Sequence, residues 1–350
     1  MRRLIINADD LGLTAGVNRG IAAGLRAGAI TSATLMAVAP AFLDAVCQVQ
    51  TLLPPQQANP GLAPQQAKTG LVGDPGVAPA GESAGSPCQP GSVQGHISET
   101  LREPDPGRPP RTGSLSIGCH VVLVDGRPLL APTSVPSLMA ASSQEFRSSF
   151  GSFARSLLAR QVQEDQIAAE AEEQMRRAQV AGIALSHVDT HKHLHLFPAV
   201  LRAVLQAARS CGVRAIRNPF APVKPLGFAH LLRRPRLWRR YTEVAVLRGW
   251  SESFRRAVRA AGMVTTDGTF GILSTGALDL KLFRAIIGCI PPGTWEFCCH
   301  PGHNDDDLAK TRTRLRASRE QELAVITSPE ARDIMARNGI ELISYWDLDS

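Results

Sequence analysis

The sequence lacks the features of a disulfide-stabilised secreted protein. It has seven cysteines, an odd number, and none of them belongs to a CxxC pair. Such a set predicts neither a disulfide framework nor a structural zinc knuckle. The apolar run Leu4–Ile6 is too short for the hydrophobic core of a signal peptide, and acidic residues follow it. We therefore expect a protein of the reducing cytoplasm.

Long apolar runs and nucleic-acid recognition motifs are also missing. No uninterrupted apolar stretch reaches the ~18 residues of a membrane-spanning helix. The formal net charge of +7 is uneven, because residues 230–241 hold five arginines interleaved with Leu237 and Trp238. This segment is ordinarily a solvated helix or loop, and the alternative is peripheral contact with an anionic membrane. A lone basic patch without a recognition motif argues against nucleic-acid binding.

Residues 54–113 differ from the rest of the chain in composition. More than a third of them are Pro or Gly, against the ~12% of average sequence, and their apolar residues show no period. Such a segment cannot bury enough surface to offset its chain entropy, so it predicts a disordered insertion. Because closure entropy grows only with the logarithm of loop length, the insertion can interrupt one domain of residues 1–350.

Outside the insertion, short apolar strands alternate with amphipathic helices, which predicts an α/β fold with a parallel sheet. About seven or eight strand–helix units fit in the chain. We therefore expect a distorted (β/α) barrel of the TIM type, with a doubly wound open sheet as the alternative. The strand candidates are Leu4–Asn7, Thr31–Val38, Leu115–Cys119, Ile183–Val188, Val213–Ile216, Trp295–Cys299 and Ile340–Tyr345.

Acidic and imidazole side chains follow the strand candidates at four separate places. These residues are Asp9, Asp10, His120, Asp189, His191 and His300. Each of them alone has a plain structural interpretation, as a turn residue or a buried, hydrogen-bonded histidine. In a (β/α) barrel, however, the carboxyl ends of all strands meet at one face. One Asp with two or three His around a common point predicts a divalent metal site.

Four segments in a fixed order carry a family resemblance. They read NADDLGL over Asn7–Leu13, GCHV over Gly118–Val121, HVDTHKHLH over His187–His195 and CHP over Cys299–Pro301. This combination resembles the YdjC-like carbohydrate deacetylases, which include chitooligosaccharide deacetylases and the deacetylases of hopanoid glycolipid synthesis. The resemblance covers residues 1–50 and 115–350. It departs from the family at Leu11, where an aromatic residue is usual, and at the 54–113 insertion.

The resemblance implies a distorted barrel that holds one divalent ion, magnesium or zinc. By analogy, Asp10, His120 and His191 are the metal ligands and Asp9 is the general base. His300 takes the place of a catalytic, substrate-facing histidine that can protonate the leaving nitrogen. His193 is an alternative proton donor, and we assign it to substrate binding together with Asp189. Asp189 is also suited to orient a ligating imidazole.

The expected function is hydrolysis of the acetyl group from an N-acetylated amino sugar, either an oligosaccharide or a glycolipid. A homodimer is admitted by the sequence but not indicated by it. A metal-dependent phosphatase or phosphodiesterase is an alternative, since an Asp/His metal site also suits phosphoryl transfer. No Gly-rich phosphate loop supports it. A non-catalytic sugar- or lipid-binding barrel is the third interpretation.

Overall fold

The computed structural model describes residues 1–53, 115–141, 143–222 and 248–348. The predicted insertion, residues 54–113, and the basic segment, residues 230–241, lie outside these ranges. The predictions that rest on them, including the interrupted single domain, therefore stay predictions. No helix in the described ranges is long and apolar enough to cross a membrane.

Strands and helices alternate along the described chain, as the sequence pattern predicts. The strands are β1 Arg2–Leu11, β2 Ser32–Leu35, β3 Ser116–Val121, β4 Leu185–Thr190, β5 Ala215–Ile216, β6 Gly268–Phe270, β7 Gly293–Cys299 and β8 Ile340–Leu342. The α-helices are α1 Ala15–Arg26, α2 Phe42–Gln50, α3 Phe150–Leu158, α4 Glu164–Val180, α5 Pro198–Ser210, α6 Ser251–Ala260, α7 Leu280–Gly288, α8 Asp306–Lys310, α9 Ala317–Thr327 and α10 Pro329–Arg337. Short 3-10 helices lie at Pro136–Leu138, His191–Leu196, Arg248–Trp250, Ile272–Ser274 and Tyr345–Asp347.

All strands of the sheet are parallel, and their order is β5-β4-β3-β2-β1-β7-β6, with β8 also on β1. Taken as a ring, the order runs from β1 to β5 and then through β6 and β7 back to β1, so successive strands are neighbours. A doubly wound sheet instead reverses its strand order at an internal strand, so that alternative is wrong. Backbone hydrogen bonds from Ile216 to Val264 and from Val264 to Arg214 link β5 to the segment before β6. The sheet therefore curls into a distorted barrel, and the predicted fold class is confirmed.

Strand β1 lies at the centre of this sheet. One of its edges pairs with β7 from Arg2 to Ala8. Its other edge pairs first with β8, at Arg2–Leu4, and then with β2, at Asn7–Leu11. Burial on both sides explains its continuous apolar run, which is typical of a central parallel strand.

Local sequence signals mark the ends of several helices. Thr14 caps α1 by accepting a hydrogen bond from the Val17 amide, and Pro198 opens α5. Five of the described helices are followed by a glycine in the left-handed conformation, at Gly28, Gly182, Gly212, Gly262 and Gly339. The apolar stripes of α4 and α5 face the sheet, where they join one continuous core.

Candidate metal centre

The acidic and imidazole residues selected from the sequence lie at the carboxyl end of the sheet. Strand β1 runs further than predicted, to Leu11, because Ala8 and Leu11 still pair with β2. Asp9 and Asp10 are thus inside the strand, as His120 is inside β3 and Asp189 inside β4. His191 and His300 come directly after β4 and β7, as predicted. The structure therefore brings all six residues to one face.

Asp10, His120 and His191 form a compact triad. Oδ1 of Asp10 lies 3.6 Å from Nε2 of His120 and 3.4 Å from Nδ1 of His191. The two imidazole nitrogens are 3.3 Å apart. Three donors bound tetrahedrally to one zinc ion at 2.0–2.1 Å would be about 3.3–3.4 Å apart. The triad therefore has the spacing of a ligand set for one divalent ion.

Unusual backbone conformations shape this triad. Asp10 has a φ of 67°, and Lys192 and His193 have φ of 58° and 53°. Residues other than glycine are uncommon in this left-handed region, and they concentrate at functional sites. The two consecutive left-handed residues turn the chain sharply after β4. We infer that this turn sets the direction of the neighbouring His191.

The requirement for glycine at position 118 is explained by close packing inside the barrel. A Cβ atom on Gly118 would lie 2.5 Å from Cε1 of His187. The His187 ring is buried and stacks on Tyr345 at a centroid separation of 3.6 Å. Burial and the nearby charge of Arg217 hold the pKa of His187 well below its usual value, so this histidine is neutral. His187 thus supports the site from below and does not belong to the triad.

Two further observations test whether the triad fits a metal ion. Asp10 is only 3% exposed, and its Oδ1 has no hydrogen-bond donor among the described residues, so water can hardly replace the missing partner. Nδ1 of His120 lies 2.7 Å from Oδ1 of Asp189. If Nδ1 donates to that carboxylate, Nε2 carries a lone pair directed at the triad, the usual arrangement of a metal-ligating histidine. The residues therefore fit a divalent cation.

The charge balance supports the same fit. Among the described residues, five carboxylates are buried around the site, and two guanidinium groups, those of Arg217 and Arg319, are buried with them. The carboxylates belong to Asp9, Asp10, Asp189, Glu296 and Glu322. Buried charges of one sign are costly unless they are paired or coordinate a metal. A divalent cation would offset two of the three excess negative charges.

Without a metal, the histidine next to these carboxylates would be charged. Although burial lowers the pKa of His120, the adjacent Asp189 carboxylate and then Asp9 and Asp10 raise it to about 9. His193 has the opposite environment, because burial and the charge of Arg217 lower its pKa to about 3. His193 is therefore neutral, and its Nδ1 has no donor or acceptor among the described residues.

Arg217, directly after β5, connects the carboxylates beneath the triad. It donates to Asp9 through both Nη1, at 2.8 Å, and Nη2, at 2.6 Å. Its Nε donates to Oε1 of Glu296 at 2.7 Å, and Nη1 also forms an ion pair with Asp189. The Tyr345 hydroxyl donates to the other oxygen of Glu296 at 2.6 Å. One cation thus holds the predicted base, Asp9, and the carboxylate that orients His120.

The carboxylate of Asp9 is fully engaged. Burial alone would raise its pKa, but the charge of Arg217 and then that of His120 hold this pKa well below its usual value. Oδ1 accepts from Asn7 at 2.9 Å and from Thr34 at 3.3 Å, in addition to Arg217. Oδ2 accepts from Arg217 and from the Cys298 thiol at 3.2 Å. Asp9 is therefore ionised, and Oδ2 is the oxygen with the weaker second partner.

The remaining predicted residues lie around this centre. Nε2 of His300 is 3.9 Å from Oδ2 of Asp9, and the side chain of His300 is 13% exposed. Asp189 has no exposed surface, since it lies between His120 and Arg217. Its contacts agree with an orienting role, whereas its contact with a substrate stays a prediction. Outside the triad, Oγ1 of Thr190 lies within hydrogen-bonding distance of Nδ1 of His195, at 2.7 Å.

Sequence reasoning missed Arg217 and Arg319. Arg217 follows the predicted strand Val213–Ile216, so the position after each strand was a usable signal. Arg319 lies in α9, far from any strand end, and its guanidinium donates to Oδ2 of Asp10 at 2.6 Å. No local pattern marks such a residue.

The fold and site together define an α/β barrel with Asp and His side chains converging at the carboxyl end of its sheet. The chain belongs to the family described as YdjC-like protein, which matches residues 3–62 and 100–337. The resemblance inferred from the four sequence segments is thereby confirmed.

Curated relatives of the chain are named carbohydrate deacetylases. The relative from Thermoanaerobacter pseudethanolicus is 23% identical over 345 residues, which cover 99% of this chain and 98% of that protein. The relative from Geobacillus stearothermophilus is 26% identical over 98% of this chain and 97% of its own length. A mouse relative is 28% identical over 69% of this chain and 80% of its own length.

A solved structure shares the fold over the whole chain. It is a crystal structure of a protein from Enterococcus faecalis V583, provisionally named for the cleavage of cellobiose phosphate. The TM-score is 0.68 at 19% identity, and the match covers 100% of this chain and 99% of the other. At this identity the likeness supports the barrel fold alone.

Proposed function

We propose that this protein is a metal-dependent carbohydrate deacetylase that removes the acetyl group from an N-acetylated amino sugar. The observation that carries the proposal is the triad of Asp10, His120 and His191. In it a carboxylate oxygen without a hydrogen-bond donor in the described part of the chain faces two imidazole nitrogens. The names of the curated relatives support the carbohydrate and the acetyl group.

Asp10, His120 and His191 would hold one divalent ion, zinc or magnesium. Two imidazole ligands favour zinc, whereas magnesium prefers oxygen ligands. The ion would supply Lewis acidity, which polarises an acyl carbonyl and lowers the pKa of water from 15.7 to about 7.

Side chains of this protein would accept and donate the protons that the hydrolysis transfers. As water attacks the carbonyl carbon, Oδ2 of Asp9 would accept its proton, giving up the contact with the Cys298 thiol. The C–N bond then breaks, the sugar nitrogen receives a proton, and acetate and the free amine leave. His300 would donate that proton, since its Nε2 lies 3.9 Å from Oδ2 of Asp9 and its side chain is partly exposed. His193, the alternative donor proposed from the sequence, has a pKa of about 3 and is neutral, so we assign the proton transfer to His300 first.

The experiment measures acetate release from N-acetylglucosamine oligomers by the protein loaded with zinc or magnesium. We expect acetate release by the wild-type protein. His191→Ala should lose both the metal and the activity, because it removes one nitrogen of the triad. His303→Ala, at an exposed histidine of the loop after β7, is the matched control and should keep both.

The alternatives differ in product. Phosphate release from model esters, without acetate release, would identify a phosphatase or phosphodiesterase. Sugar binding without either product would indicate a non-catalytic barrel. Full metal occupancy in His191→Ala would remove that residue from the ligand set.

Lipid linkage of the sugar is the finer part of the proposal. It depends on residues 230–241, which lie outside the described ranges, and on their arginines in particular. Glutamine at Arg233, Arg234, Arg239 and Arg240 should abolish binding to anionic liposomes at low salt and spare activity on a soluble oligosaccharide. If the wild-type protein does not bind these liposomes, the lipid-linked substrate is rejected and a soluble sugar is the proposed substrate. Sedimentation would test the homodimer separately.

A further inference from the structure

Helix α9 holds the loop that follows β7. Backbone amides at alternate positions of this loop donate to the helix. The His300 amide donates to Oε2 of Glu322 at 2.6 Å, and the Gly302 amide donates to the carbonyl of Arg319 at 3.3 Å. The Asn304 amide donates to Glu320 at 3.1 Å. The loop that carries His300 is therefore fixed to α9 along its length.

The same helix reaches the metal triad through Arg319. This side chain is 1% exposed. Its Nη2 donates to Oδ2 of Asp10 at 2.6 Å, while its Nε donates to the carbonyl of Leu315 at 3.1 Å. With Oδ2 engaged, the carboxylate of Asp10 presents only Oδ1 to the two imidazoles. Arg319 thus fixes which oxygen of Asp10 is available and where it points.

Glu322, three residues further along α9, contacts the backbone and the ring of His300. It is 2% exposed and accepts from the Gly276 amide through Oε1 at 2.9 Å. Its Oε2 accepts from the His300 amide and lies 4.0 Å from Nδ1 of the His300 ring. At the other side of this ring, Nε2 faces Asp9. Glu322 is therefore anchored by one loop and holds the next.

We propose that α9 is a positioning helix for the reaction centre, with Arg319 orienting the metal ligand Asp10 and Glu322 orienting His300. Residues three apart lie on the same face of a helix, so one face of α9 serves both groups. The inference rests on the proposed function, because it takes Asp10 as a metal ligand and His300 as a proton donor. It adds that the two tasks are separable by single substitutions.

The test compares zinc affinity with turnover in two variants. Arg319→Met should bind Zn²⁺ about 10- to 100-fold more weakly, since the loss of such an orienting partner typically costs that much. Saturating zinc should restore most of its kcat. Glu322→Gln should keep wild-type zinc affinity and KM but lose about 10- to 100-fold in kcat, because a displaced His300 is a misplaced proton donor. A chromophoric chelator in competition measures the affinity.

Two exposed substitutions are the matched controls. Arg316→Met removes a guanidinium beside the start of α9, and Glu330→Gln neutralises a carboxylate on α10. Both should leave zinc affinity and kcat unchanged. Urea unfolding in the presence of a chelator checks that every variant folds. If Arg319→Met does not fold, Arg319→Lys takes its place, since it keeps the charge but loses the contact with Leu315.

The outcomes separate this inference from the proposed function. A folded Arg319→Met, or its Lys replacement, with wild-type zinc affinity would overturn the role of Arg319. Equal losses of zinc affinity in Arg319→Met and Glu322→Gln would overturn the division of tasks and leave α9 as a general support. Wild-type protein that binds no zinc or magnesium would contradict the metal site itself, and this is measured first.

Discussion

Arg217→Met would remove a guanidinium that joins three buried carboxylates. The substitution keeps most of the side-chain volume, so its main effect is electrostatic. Asp9, Asp189 and Glu296 would each lose an ion pair, and all three are at most 1% exposed. Removing one partner of a buried ion pair costs about 3–5 kcal/mol, because the other charge remains without compensation. We expect a loss of at least this size at neutral pH.

The pH dependence of this loss has a definite sign. In the wild-type protein the pKa of Asp9 is held well below its usual value, chiefly by Arg217 against the effect of burial. The stability that this contributes is present above about pH 4 and lost as pH falls. Without Arg217 the effect of burial would dominate at Asp9, and its folded-state pKa would rise above its unfolded value, as burial already raises the pKa of Glu296 in the wild-type protein. The variant would then retain a proton when folded, and its stability would fall as pH rises.

The assay is urea unfolding of both proteins from pH 4.5 to 6.5, with a chelator present so that metal binding does not contribute. The difference in free energy of unfolding should grow with pH, by up to about 1.36 kcal/mol per pH unit for each retained proton. Because burial and then the charge of Arg217 lower the pKa of His187 and His193, removing Arg217 would raise these two pKa values, and this change makes the difference grow with pH as well. A difference that is small, or constant over this range, would refute the reasoning.

The control is a guanidinium of the same kind on the surface. Arg337 lies 3.7 Å from Asp333, and its side chain is 80% exposed. Arg337→Met should change the free energy of unfolding by less than about 1 kcal/mol, because exposed ion pairs contribute little.

Three further predictions follow from single contacts. Asp9→Asn should keep its metal and lose turnover by about 10²–10⁴-fold, measured as acetate release, since it removes the proton acceptor. It also removes the negative charge that pairs with Arg217, so urea unfolding must show that the variant is folded under the assay conditions; near wild-type turnover would reassign the base. Gly118→Ala should destabilise the protein by about 1–3 kcal/mol in urea, because its methyl group meets the His187 ring; an unchanged midpoint would contradict this packing. Although burial raises the pKa of Asp305, amide hydrogen bonds led by that of Leu308 lower it overall. Asp305 is the N-cap of α8, so Asp305→Asn should cost about 1 kcal/mol of the free energy of unfolding at pH 7. The variant should also lose less stability than the wild-type protein as pH falls below about 4, and an equal loss in both proteins would exclude this capping role.

The order of strands and helices was predictable because hydrophobic period and helix-end signals are local. Pro198 and Gly212, for example, bound α5 almost to the residue. The convergence of Asp10, His120 and His191 was predictable for a different reason, since parallel strands present their carboxyl ends at one face. The extent of β1 was not, because its last residues depend on pairing with β2, which is a tertiary contact.

The ion-pair network beneath the triad could not be derived in the same way. Arg217 and Asp9 are 208 positions apart, and Arg319 and Asp10 are 309 apart. No periodic pattern encodes such a pair, and an arginine on a helix ordinarily indicates a solvated surface. Only the folded barrel shows that these cations are buried against the carboxylates of β1.

The pairing of β1 has a consequence for how the chain is made. One edge of this strand pairs with β7, and the first half of its other edge pairs with β8. Both partners are synthesised about 280 residues or more after β1. At 5–20 residues per second, β1 spends about 15–60 s without them while β2 can cover only its distal half. Such non-local pairing folds slowly and leaves an apolar strand edge exposed in the meantime. The edges of β1 can therefore be fully paired only after β7 and β8 have been synthesised.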